Sequence, residues 1–110
     1  MRPVVIKIGK CSTAVPSMVG TSGLNYFDTS QHREKSVQLV NADGNWTSGS
    51  VDLQASLDGG ATWSSFLNVT GPGFYALPAL VLGRVRAVAN GLPANTLIDV
   101  WFGGMDSRAD

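Results

Sequence analysis

The sequence predicts an all-β fold: a two-sheet antiparallel β-sandwich of about seven strands, immunoglobulin-like or jelly-roll in wiring, with an extended N-terminal region. Three observations carry this expectation. No segment sustains a 3.6-residue apolar period for more than about two turns. Apolar and polar residues alternate instead, most clearly over Val51–Ser56, Arg84–Ala89 and Leu97–Phe102. Turn signals (Asp43-Gly44, Gly59-Gly60, Gly71-Pro72-Gly73 and Asn90-Gly91) separate these segments at the spacing of short strands.

Val4, Ile6 and Ile8 share one face of a first strand. Residues 9–34 then break the pattern. They are rich in Gly, Ser and Thr yet include Val15, Met18 and Val19, so they read as a long loop or as an arm laid on a neighbouring subunit. Val37 and Leu39 mark a second strand over Ser36–Asn41. Val51, Leu53 and Ala55 alternate with Asp52, Gln54 and Ser56 in a half-buried strand with a polar outer face. Trp63, Phe66 and Leu67 lie on the strand that returns from the Gly59-Gly60 turn, and Phe74–Leu77 adds a short strand before Pro78. Val85, Ala87 and Ala89 alternate with Arg84, Arg86 and Val88. Ile98, Val100 and Phe102 alternate with Leu97, Asp99 and Trp101. The domain is expected to end near residue 103, with residues 104–110 a frayed tail.

A chain of 110 residues is one domain by length, and 44% hydrophobic residues supply a real core. Eight basic and eight acidic residues cancel to zero net charge. That speaks against sequence-independent nucleic-acid binding and makes association between copies easier. Cys11 is the single cysteine, so neither an internal disulfide nor a cysteine-based zinc site is expected. The apolar run in residues 2–8 is too short for a signal sequence or a membrane span, so the chain is expected to fold in a cytoplasm, without a membrane partner.

Residues with catalytic or ligand-binding potential have plainer readings. His32 is the only histidine; it lies in the polar stretch Thr29–Lys35 with no nucleophile motif nearby, and it reads as a solvated side chain. The carboxylates fall on turns and outward strand positions, which gives no acid–base pair for glycoside hydrolysis. Asn41–Asn45 could offer oxygens to calcium, but it lacks the remaining ligands and reads as a turn. No catalytic residue, metal ligand or cofactor is therefore expected. The candidate interaction surface comprises Trp46 and Trp101, with Arg84, Arg86 and Asp99 as a cross-strand or intersubunit charge pairing, and Val15, Met18 and Val19 in the N-terminal region.

The run Ser56-Leu57-Asp58-Gly59-Gly60-Ala61-Thr62-Trp63 resembles the Asp-box hairpin signature, Ser-x-Asp-x-Gly-x-Thr-Trp. Ser56 and Asp58 can bond turn amides, Gly60 can take positive φ, Thr62 resumes the strand, and Trp63 can fold back beneath the turn as an apolar anchor. The motif is best known from repeated use in propeller sialidases, but one copy implies a hairpin rather than an enzyme. Over residues 35–103 the order is Ser50–Trp63, Thr70–Tyr75, Gly83–Val88 and a closing Val-Trp-Phe strand. This order resembles the small β-sandwich structural proteins of tailed bacteriophages. The resemblance implies a non-enzymatic virion component assembled in the bacterial host, most simply a capsid decoration (cement) protein. Its partners would be the major capsid protein or another virion protein, together with copies of itself. The alternative is a carbohydrate- or receptor-binding module of a tail or fibre, using Trp46 and Trp101.

Overall fold

In a computed structural model the described residues are 2–20, 23–77 and 83–106. They form eight strands: β1 (Arg2–Ser12), β2 (Phe27–Asp28), β3 (His32–Asp43), β4 (Ser50–Ser56), β5 (Ser64–Val69), β6 (Gly73–Ala76), β7 (Arg84–Asn90) and β8 (Leu97–Asp106). Two four-stranded antiparallel sheets result, ordered β1-β8-β3-β6 and β2-β7-β4-β5. The pairs β1·β8, β2·β7, β3·β6 and β4·β5 are those of one long antiparallel hairpin rolled into two layers. That is jelly-roll wiring, and it settles the choice the sequence left open.

The alternating segments bury the faces expected of them. Val37 and Leu39, Val51 and Leu53, Val85, Ala87 and Ala89, and Ile98, Val100 and Phe102 are all buried between the sheets. β-Branched and aromatic residues favour such pleated, half-covered positions, and two facing rows of them exclude water from the interlayer space.

Bulges account for most departures from strict alternation. Lys7 faces Trp101 and Gly9 faces Val100, leaving Ile8 as the extra residue, so Ile8 and Gly9 are both buried. Leu53 faces Leu67 and Gln54 faces Ser65, leaving Phe66 extra. Consecutive Phe66 and Leu67 can therefore both pack against the core. In β3, two residues between Arg33 and Ser36 oppose one in β8, and Glu34 takes a left-handed φ of 51° there.

Several boundaries differ from the expectation, among them the end of β1, which continues to Ser12 into the stretch expected as loop. β3 begins at His32 rather than Ser36, and its polar first turn of sequence is strand because His32 packs into the interior. β8 runs to Asp106, which is buried and in register with Arg2 and His32, so residues 104–106 are sheet and not tail. The rest of that tail, like Pro78, lies outside the described residues.

The described part of residues 9–34 lies on its own sandwich. Met18 N–H donates to the Ala87 carbonyl at 2.9 Å and Ala89 N–H to the Pro16 carbonyl at 2.7 Å, continuing the β2 side of β7. One residue on, Val19 and Lys10 exchange backbone bonds of 3.0 and 3.2 Å along β1. Residues 16–19 thus bridge the edges of both sheets, and the Met18 side chain is fully buried between them.

Candidate interaction surface

β4 and β5 meet in the Gly59-Gly60 turn, which polar side chains hold closed. Ser56 Oγ donates to Asp58 Oδ1 at 2.7 Å and accepts the Gly60 N–H at 2.9 Å, while Asp58 Oδ1 also accepts the Thr62 N–H at 2.9 Å. These bonds hold the Asp58 carboxyl well below its ordinary range, at about 2, with the Ser56 hydroxyl the largest contributor. Gly60 adopts φ +94°, and the Trp63 ring folds back to within 3.7 Å of where a Cβ at Gly60 would sit. Trp63 is half-buried and outside the core. Its ring is covered by the Arg86 guanidinium, 4.3 Å from the centroid.

The outer face of β2-β7-β4-β5 is a closed polar network. Arg86 Nε donates to Gln54 Oε1 at 2.8 Å, Gln54 Nε2 to Asp52 Oδ2 at 3.0 Å, and Ser65 Oγ to Asp52 Oδ1 at 2.6 Å. Burial alone would raise the Asp52 pKa, but the bonds from Ser65, Gln54 and Asn68 together lower it. Arg84 lies over the Tyr26 ring, 4.1 Å from its centroid, and donates to the Gly59 carbonyl. The expected cross-strand pairing of Arg84 or Arg86 with Asp99 does not form within the chain, because β7 and β8 belong to opposite sheets. Asp99 pairs with Lys7 instead, Nζ to Oδ1 3.1 Å; the approach lies outside hydrogen-bond angles, so the contact is Coulombic.

The outer face of β1-β8-β3-β6 has a different character. Side chains in register across a sheet share a face. Lys7, Trp101, Gln38 and Phe74 therefore form one row, and Val5, Gly103, Ser36 and Ala76 the next. Val5 is 77%, Phe74 78% and Trp101 36% exposed. The Lys7–Asp99 pair neutralises the charge closest to Trp101. The centre of this face is thus apolar and polar-uncharged, with Val5, Trp101 and Phe74 exposed, while the flanking rows carry the exposed cations Lys10 and Arg33.

The other residues expected on an interaction surface are placed differently. Trp46 packs against the core, with its indole N–H 3.5 Å from the Gly49 carbonyl, and so covers the end of its own sandwich. Met18 is core. Val15 and Val19 remain exposed, beside a small turn closed by Ser12 and along β1 respectively. Phe74 and Val5 are surface residues that the sequence reasoning did not single out. Strand alternation alone would have placed Phe74 outward opposite Tyr75.

His32 is not a solvated side chain. Its ring contacts Phe102 edge-on at 5.0 Å and Phe27 at 5.7 Å between centroids, and its Nδ1 is buried without a hydrogen-bond partner among the described residues. Asn41–Asn45 spends its polar groups on its own turn and its neighbours: Asn41 Nδ2 donates to the Asp43 carbonyl at 2.7 Å, Asn41 Oδ1 accepts the Trp46 N–H at 2.8 Å, and the Asn45 carbonyl accepts the Thr96 hydroxyl at 3.1 Å. Among the described residues no group of three or more His, Cys, Asp or Glu side chains could hold a metal ion. Three surface cavities, of about 440, 240 and 240 Å³, include only Lys7, Lys10 and Tyr26 as ionisable lining residues. No helix of the described residues is long and apolar enough to cross a membrane. No protein-family model, curated protein or solved structure matches the chain.

Proposed function

We propose that this chain is a non-enzymatic structural protein of a virion, a capsid decoration protein that docks on the particle through the outer face of β1-β8-β3-β6. The observation that carries the reading is that face: a sheet surface with Val5, Trp101 and Phe74 exposed at its centre, Lys7 there paired with Asp99, and the cations Lys10 and Arg33 on the flanking rows. Burying the centre of this surface against a capsid lattice gains apolar transfer free energy, at about 25 cal/mol per Å² of apolar area removed from water, while Lys10 and Arg33 stay at the rim. Many equivalent contacts on a symmetric shell then reinforce one another. Jelly-roll wiring is also frequent among viral capsid and lectin domains, which is support by analogy only.

The test is the composition of purified particles from a lysate in which the chain is expressed. The chain should be present at a fixed high copy number, and Phe74→Lys or Trp101→Lys should be lost from the particles while still folding. Particles that contain none of the wild-type chain sink the proposal.

The second reading is a carbohydrate- or receptor-binding module of a tail or fibre. Trp101 favours it, since an exposed indole beside Gln38 and Lys7 offers a stacking surface with polar neighbours. Trp46 does not contribute, being packed on the core. Glycan-array binding that Trp101→Ala abolishes would replace the decoration reading with this one.

A further inference from the structure

We propose that β1 is a self-pairing edge: two copies join by antiparallel pairing of their β1 strands centred on Val5, which makes one continuous eight-stranded sheet across a two-fold dimer. Among the described residues four strands end the sheets. β2 has 2 residues and β6 has 4, too few for an extended pairing. β5 carries Ser64, Ser65 and Asn68, and the last two are already engaged with β4. β1 has 11 residues, and N-terminal to Lys10 no strand of the described chain lies along its outer edge. Lys10 is bonded to Val19 and Gly20 lies against the Ile8 carbonyl, so among the described residues the open part of this edge is Arg2–Lys7, a run of main-chain N–H and C=O groups that another strand can pair in series.

The side chains point to the same occupant. Val5 is 77% and Ile6 43% exposed, and consecutive strand residues project to opposite faces, so β1 lacks apolar cover on both sides at this point. The stretch Pro3-Val4-Val5-Ile6 contains no polar side chain. A two-fold that keeps both sandwiches on the same side of the joined sheet must set residues of like face opposite each other. Centring it on Val5 sets Val5 against Val5 of the second copy, Val4 against Ile6, and Pro3 against Lys7. No like charges then stand opposite one another, whereas centring on Lys7 would oppose two ammonium groups. Ile6 borders a cavity of about 240 Å³ with Ile8, Leu24, Tyr26 and Phe27, and the Val4 of the second copy would lie beside it. Pro3, without an N–H, and Lys7 bound the pairable stretch, so the contact is short and reversible. This pairing does not depend on the virion reading, and either can fail without the other.

Sedimentation equilibrium of the purified full chain tests it. The wild type should dimerise with rising concentration, Val5→Lys and Val5→Glu should each stay monomeric, and a one-to-one mixture of the two variants should recover the dimer. Val5 is exposed, so both variants should fold; thermal melts check this. Should either fail to fold, Val5→Cys replaces it: strands paired at this register hold opposite Cα atoms about 4.5–5.5 Å apart, within disulfide range. That variant should form an intermolecular disulfide on mild oxidation, without interference from buried Cys11, while a Ser64→Cys control on β5 does not. A wild type that is monomeric at every concentration overturns the proposal. So does dimerisation indifferent to Val5→Lys, a charge mixture that fails to recover the dimer, or a Val5→Cys variant that crosslinks no more than the control.

Discussion

Two side chains show how local surroundings set chemistry in this molecule. Cys11 is fully buried on the inner face of β1, and burial, with Asp99 nearby, pushes its thiol up to about 12. Thiolate is the reactive form, so native protein at neutral pH should resist iodoacetamide and react only once denaturant unfolds it. Mass spectrometry of labelled samples reads this directly, and rapid labelling of the native state would contradict the burial. Asp58 behaves in the opposite sense. Its folded pKa, about 2, lies below its ordinary value of 3.8. The stability it contributes is present above the ordinary value and lost as pH falls through the folded one, so the window is roughly pH 4 to 2. Asp28 shifts the same way, chiefly through the Ser30 N–H that it accepts. Asp58→Asn should therefore lower the melting temperature at pH 6 and flatten its decline between pH 4 and 2. Identical pH profiles for variant and wild type would show that the turn bonds contribute nothing to the melt.

The β4–β5 hairpin illustrates how much of an element its own residues declare. The polar bonds and the fold-back of Trp63 follow from side-chain chemistry within eight consecutive positions. What lies over the ring does not, because Arg86 arrives from β7. A fully buried ring would cost about 3–5 kcal/mol on truncation; half-buried Trp63, with one cation–π contact, should cost roughly 1–2 kcal/mol. Denaturant melts of Trp63→Ala separate these ranges. The connection between β3 and β4 carries a stricter constraint. Gly49 has φ +77° and lies so close to the Gly91 backbone that an added Cβ would collide with its carbonyl. Gly49→Ala should therefore destabilise by more than about 1 kcal/mol, whereas the same change at open Gly71 should be nearly silent. The bulges were hidden from the sequence for the same reason as Arg86. Whether Ile8 or Phe66 is the extra residue depends on the strand opposite, and alternation carries no information about that strand.

Across the whole molecule, alternation over β4, β7 and β8 made the layered architecture legible, since each of these strands faces water on one side and the core on the other. The wiring was not legible. Strand order is fixed by pairings between distant segments, and the residues that carry them look locally ordinary. His32 shows why: in sequence it is one polar residue among several, and only the arrival of Phe27 and Phe102 makes it interior. Phe102 joins the layers at this point, its ring centroid 4.8 Å from that of Phe27 on the opposite sheet and 5.0 Å from that of His32. Phe102→Ala should cost about 3–5 kcal/mol in an equilibrium melt; a loss below 1 kcal/mol would mean the two sheets are held together elsewhere. The order β1-β8-β3-β6 also has a consequence for biogenesis. β8, to which β1 and β3 both pair, follows every other described strand in the chain, so the β1-β8-β3-β6 layer cannot close until it has been made. Until then the apolar stretch of β1 lacks its partner while every intervening strand is synthesised.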